Sequence, residues 1–139
     1  VEQALDHTNT VLIGDFNANP FDTEMILKDG LNAVLFKSVI VENEFSKVDG
    51  KKNRRFYNPM LHYISESKAH YGSIYHAGDL DDLYWNSYDQ VLVRKSLIEL
   101  LVDVRYLKQV RGRSLLKRLK PSSDISDHLP LIVSIKETE

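Results

Sequence analysis

Three short stretches of this chain set side chains capable of phosphate or metal chemistry beside apolar runs: Gly14-Asp15-Phe16-Asn17, Tyr88-Asp89-Gln90-Val91 and Ser126-Asp127-His128-Leu129-Pro130. Side chains alternate along an extended segment, so Asp15 and Asn17 share a face while Phe16 turns away to pack, and an anion and a neutral amide address one small ligand. Asp15, Asp89 and Asp127 gathered in a dry cleft repel one another unless positive charge balances them. A protonated His128 supplies one charge, and a hard divalent cation supplies the rest. Mg²⁺ takes few carboxylates, keeps its waters and meets phosphates, so it suits this set best, with Mn²⁺ as the alternative. Taken singly, each stretch has a plainer explanation: an Asx-rich turn after Asp15, a cap around Ser126-Asp127-His128, and a solvated hairpin carboxylate at Asp89. It is the conjunction, three stretches each abutting an apolar run, that points to a site.

The apolar runs beside these stretches define the secondary structure that carries them. Residues 10–14 (TVLIG) form a β-branched apolar run that stops at Asp15 and a following Asn-Pro, a buried strand ending in a turn. Residues 87–93 give a second strand, and residues 131–135 a third, with Pro130 tolerated just ahead of it. If the first strand runs antiparallel to the other two, its C-terminal end lies at the sheet edge where theirs begin, and all three stretches converge. Elsewhere, residues 21–29 read as a short helix or an irregular connection, 31–36 as another short helix, 45–56 as a loop around Asp49-Gly50, and 71–75 as a strand. An acidic loop with Gly78-Asp79 and Asp81-Asp82 joins that strand to the second one. Leu97, Ile98, Leu100, Leu101 and Val104 make a helical stripe over residues 96–105. Apolar strands among helices predict an α/β layered domain.

Composition narrows the class. One domain's length, 139 residues, contains no cysteine, which excludes disulfides, thiolate zinc sites and a cysteine nucleophile. No apolar stretch is long enough for a membrane span, and the cytoplasm is the default compartment. Residues 1–6 read as the tail of a helix. Residues 1–50 carry nine acids and three bases, whereas residues 51–139 carry eleven acids and fifteen bases. Seven of those bases, Arg105, Lys108, Arg111, Arg113, Lys117, Arg118 and Lys120, occur with no acid among them. They are either a polyanion contact or a solvated face. Tyr71, Tyr75, Tyr84, Trp85 and Tyr88 either stack on bases or fill space between sheets. His62, His70 and His76 lack the spacing of a helical metal pair and read as surface or core residues.

The words GDFN at residues 14–17, an aromatic-Asp-Gln-Val-Leu segment at 88–92 and SDHLP at 126–130, in this order, resemble the C-terminal half of the endonuclease/exonuclease/phosphatase superfamily over nearly the whole chain. Residues 56–60 (FYNPM) and 84–92 (YWNSYDQVL) resemble a bacterial branch of it. The resemblance implies half of a four-layer α/β/β/α sandwich with mostly antiparallel or mixed sheets, hydrolysing phosphodiesters or phosphomonoesters, nucleic acid among them, with a divalent metal. It implies that Asp15 orients or deprotonates the attacking water and that Asn17 holds the water and phosphate oxygens. Asp127 would serve the metal together with Asp15. His128 would hydrogen-bond a non-bridging phosphate oxygen, buttressed by Asp89. The superfamily's N-terminal half adds an Asn and a metal-binding Glu, usually after Gln. Here Gln3, Gln90 and Gln109 precede Ala, Val and Val. Residues 1–139 are therefore expected to be one partial domain, inactive alone. Two rivals stand beside it: a non-catalytic binding module on the same fold, and a phosphatase of small phosphates or lipid head groups.

Overall fold

The computed structural model describes residues 2–66, 72–76 and 84–137. Tyr71, His70 and the acidic loop at 78–82, to which the sequence assigns a strand start, a surface or core position and a connection, lie outside them.

A short helix α1 (Glu2–Leu5) leads into β1 (Val11–Asp15), shifted one residue toward the C-terminus from the strand read from sequence. After α2 (Thr23–Ile26) come β2 (Ala33–Val34), α3 (Lys37–Glu42), the hairpin strands β3 (Phe45–Val48) and β4 (Lys51–Arg54), β5 (Phe56–Tyr57) and α4 (Met60–Glu66). Next are β6 (Ile74–Tyr75), β7 (Trp85–Asn86) and β8 (Asp89–Val93). A 3₁₀ segment (Lys95–Leu100) enters β9 (Leu101–Tyr106). Two small hairpins follow, β10 (Gln109–Val110) with β11 (Arg113–Ser114) and β12 (Leu116–Lys117) with β13 (Lys120–Pro121), before β14 (Leu131–Ile135). The chain is a strand-rich, mixed α/β fold.

Four strands form the principal sheet in the order β1-β8-β5-β2, antiparallel except for the parallel β2–β5 pair. Val91, Leu92 and Val93 of β8 are fully buried, because both faces of the sheet are covered. Alternation sends Val91 and Val93 to one face, where they join Tyr57, Met60, Ile98, Tyr106 and Leu129 in the larger apolar cluster. Leu92 goes to the other face, with Phe56, Ala33, Met25 and Ala18. The larger cluster also takes in Leu131 and Val133 of β14 and Val104 of β9, so the β9–β14 pair shares a core with β8.

Three local readings change. Residues 31–36 hold a strand, not a helix: Ala33 and Val34 pair with Phe56 and Tyr57, and the buried Asn32 amide donates to Ser46 Oγ at 2.7 Å. Residues 45–56 are a hairpin and a core strand; Asp49 (φ 49°) and Gly50 (φ 79°) make the two-residue turn whose twist matches paired strands. The expected helix at 96–105 splits. Its Leu-Ile stripe closes a 3₁₀ segment, and the alternating Leu-Val-Asp-Val-Arg-Tyr that follows is a strand.

That last change relocates the third strand. β14 pairs antiparallel with β9 and not with β1 or β8, so the three expected strands do not share one sheet. The β-branched alternation of β9 supplies the edge that β14 takes. Among the described residues no helix is long and apolar enough to cross a membrane.

Candidate active site

β1 and β8 run antiparallel in a register that places Asp15 directly opposite Asp89. Opposed residues of an antiparallel pair point to the same face with Cβ atoms about 5 Å apart, so two carboxylates here destabilise the pair unless a cation intervenes. β1 ends at Asp15, and Asn17 follows in the left-handed region (φ 50°) with its N–H donating to Asp15 Oδ1 at 2.9 Å. Strand alternation therefore does not reach Asn17; an Asx turn brings it beside Asp15, a conformation asparagine tolerates better than most residues. Phe16 turns inward and packs against the smaller apolar cluster, as its apolar character requires.

Asp89 lies on the face that β14 covers. Just ahead of β14, Leu129 is buried in the shared core, and this anchors the preceding residue. His128 Nδ1 meets Asp89 Oδ2 at 2.6 Å, both side chains about three-quarters buried. The convergence expected along one sheet edge is thus achieved between the principal sheet and the β9–β14 pair. Burial opposes a charge on His128. The hydrogen bond to Asp89 and the negative charges of Asp89, Asp15 and Asp127 outweigh it and lift its pKa above the ordinary value of 6.5. With Nδ1–H donating to Asp89, Nε2 carries a proton only in the charged imidazolium, the form that the neighbouring carboxylates favour.

Residues the sequence does not single out hold this pair in place. Ser73, fully buried, is bonded three ways: its N–H donates to Asn86 O at 2.8 Å, its carbonyl accepts from Leu129 N–H at 2.7 Å, and its Oγ accepts from Asp89 N–H at 3.0 Å. One serine therefore fixes the chain on both sides of the Asp89–His128 contact, and Ile74 beside it bridges to His128. Tyr106 of β9 donates its hydroxyl to the Asp89 carbonyl at 2.7 Å; burial drives its pKa well up, keeping the phenol protonated as a donor. Tyr63 packs edge-on against its ring at 5.3 Å.

On the Asp15 side, Asn19 ties the turn to the strand before β8. Its Nδ2 donates to Asn86 Oδ1 at 2.8 Å and its Oδ1 accepts from Ser87 N–H at 2.9 Å. Gln90, fully buried, donates to Ala18 O and accepts from Asn58 Nδ2 at 2.7 Å. A buried amide is a high-stakes residue, satisfied here at both ends. The Asx-rich composition of 15–20 signals a turn; nothing local in the sequence marks Ser73 or Tyr106, because their partners are distant in the chain.

Asp15, Asn17, Asp89 and His128 are brought together, whereas Asp127, next to His128 in the chain, is exposed and acts on it through its charge. No protein-family model, no curated protein and no solved structure matches this chain. Among the described residues no group of three or more His, Asp or Glu side chains is arranged to hold an ion. The arrangement supplies an imidazole whose charged form Asp89 favours, the carboxylate of Asp15 opposite Asp89, and Asn17 beside it.

Proposed function

We propose that this site hydrolyses phosphate esters, most readily phosphodiesters, as the C-terminal half of an endonuclease/exonuclease/phosphatase domain. The observation that carries the proposal is the 2.6 Å Asp89–His128 pair facing Asp15 across the β1–β8 register. The four-layer sandwich belongs to the same proposal. It is supported by the core shared between the principal sheet and the β9–β14 pair, and by β1 standing at the sheet edge with Ile13 56% exposed, where further strands would add.

In this scheme Asp15 accepts a hydrogen bond from the attacking water and takes or orients its proton. Asn17 holds the water and a phosphate oxygen. His128, kept protonated by Asp89, donates from Nε2 to a non-bridging oxygen where negative charge accumulates; fixed donors of this kind lower the barrier without reorganising. Asp89 is a positioning residue, since it acts through His128. Dependence on Mg²⁺ or Mn²⁺ is part of the proposal and needs ligands beyond the described residues, so none of these roles is routed through the ion.

The rival reading is a non-catalytic binding module built on the same fold. The full-length protein decides between them. It is assayed with Mg²⁺ or Mn²⁺ against single-stranded DNA, duplex DNA, RNA and phosphorylated small molecules or lipid head groups. Hydrolysis abolished by Asp15→Asn and His128→Ala supports the esterase; binding of a phosphorylated ligand with no turnover on any substrate supports the module.

A further inference from the structure

The basic run at 105–120 and the aromatic group around β6–β7 are absorbed by none of the roles above, and the fold places them side by side. The run is folded into two consecutive two-residue hairpins. Arg111 (φ 46°) and Gly112 (φ 80°) turn the first, and Arg118 (φ 53°) and Leu119 (φ 65°) the second, so each tip presents an arginine. Lys117 pairs with Asp124 at 3.1 Å, and Arg105 pairs with Asp103. Arg111, Arg113 and Arg118 make no ion pair to a described residue, and all three are exposed. Leu119 and Val110, 71% and 43% exposed, lie beside them, so these turns are not capped by the core.

The second hairpin reaches the aromatics through Lys120, whose Nζ sits 4.2 Å from the centre of the Tyr75 ring. Tyr75 lies 6.1 Å from Tyr84 in near-parallel orientation and 5.5 Å from Trp85 edge-on. Tyr84 is 58% exposed, which is not how an aromatic filling the gap between sheets behaves. The group is continuous with the site: Ile74 precedes Tyr75 and bridges to His128, while His76 packs 6.1 Å from Tyr88, the neighbour of Asp89.

We propose that the two hairpins and the Tyr75–Tyr84 face form a binding track for single-stranded nucleic acid, delivering the strand to the His128 site. The proposal rests on the esterase reading for the purpose of the track, but not for its existence. Unpaired arginines along a strand's path meet successive phosphates, and an exposed aromatic face offers stacking to any unpaired base; the combination is sequence-tolerant and fits a strand whose bases are not already stacked in a duplex. Isolated charges alone would serve any polyanion, and Tyr84 is what narrows the occupant.

The test is fluorescence anisotropy on the full-length protein with a labelled oligonucleotide of about 12 residues, a length within the span of known single-strand sites. EDTA is present, so that no hydrolysis enters the signal. Arg111→Asn, Arg113→Gln and Arg118→Asn are combined, asparagine being chosen where φ is positive so that the turns are kept. The triple variant should weaken binding and flatten the dependence of log affinity on log salt by about 2, from roughly 0.7 per phosphate contact. Tyr84→Asn should weaken single-strand binding by about 5- to 100-fold and leave duplex binding unmoved, while Tyr84→Phe restores it. Circular dichroism of each variant checks folding. An unchanged salt slope, a Tyr84→Asn affinity equal to wild type, or a duplex or anionic lipid vesicles bound as tightly as the single strand would each overturn the proposal. Because binding is read without turnover, failure here is separate from a failure to find hydrolysis.

Discussion

Asp89 and His128 stand 39 residues apart in sequence and 2.6 Å apart in space, one opening β8 of the principal sheet and the other just before β14 of a different one. A contact of this kind ties the ionisation of the imidazole to the packing of two sheets, and the expected outcomes below follow from that linkage.

The pair should be visible in the pH dependence of stability. His128 has a folded pKa raised above 6.5, so its contribution is fully present below about 6.5 and is lost as pH rises through the folded value. In Asp89→Asn the hydrogen-bonding charge is gone; the His128 pKa should drop and this decline should flatten. Ring NMR titration of His128, with urea unfolding from about pH 5 to about pH 9, checks both. A His128 pKa that does not move in the variant would contradict the assignment.

In the full-length protein, Asp15→Asn keeps shape and hydrogen-bonding capacity but removes the anion that takes or orients a proton. Turnover should fall by about 10²- to 10⁴-fold while substrate affinity is kept, read from steady-state kinetics alongside direct binding.

His128→Ala removes a charged donor to the developing phosphate charge, a loss of roughly 2.7 to 4 kcal/mol of transition-state stabilisation, and the alkaline limb of the pH–rate profile should disappear with it. Asp89→Asn should give a milder version, with that limb shifted to lower pH rather than abolished. An alkaline limb of the same position in all three proteins would remove His128 from the chemistry.

Ser73→Ala removes the acceptor for the Asp89 N–H, at a cost of about 1 to 3 kcal/mol for a buried donor left unpaired. A purely structural role would lower the denaturation midpoint alone. A positioning role should also shift the His128 titration, because the same residue fixes the backbone at Leu129.

Packing gives a contrast within neighbouring strands. Leu92 is fully buried and Ile13 is 56% exposed. Leu92→Ala should cost about 2 to 5 kcal/mol, and Ile13→Ala well under that, in chemical denaturation of the same protein.

Much of the site was legible in the residues themselves. Gly14-Asp15-Phe16-Asn17 marks a strand end followed by an Asx turn, because a β-branched apolar run and an Asn-Pro are local signals, and strand β1 lies where they put it. The same holds for β8, whose burial on both faces requires an unbroken apolar run, and for β14. An antiparallel β1–β8 pair accounts for Asp15 standing opposite Asp89, whereas His128 reaches Asp89 from a different sheet.

Tertiary structure decided the rest. Residues 33–34 and 101–106 became strands because partners distant in sequence offered them edges, and short apolar segments take whichever conformation their neighbours complete. The sheet to which β14 belongs, the depth at which His128 is held, and the roles of Ser73 and Tyr106 depend on hydrogen bonds spanning from 16 to 39 residues and more. A sequence carries the donors and acceptors of such bonds but not their pairing, which is settled only when burial makes leaving any one of them unpaired costly.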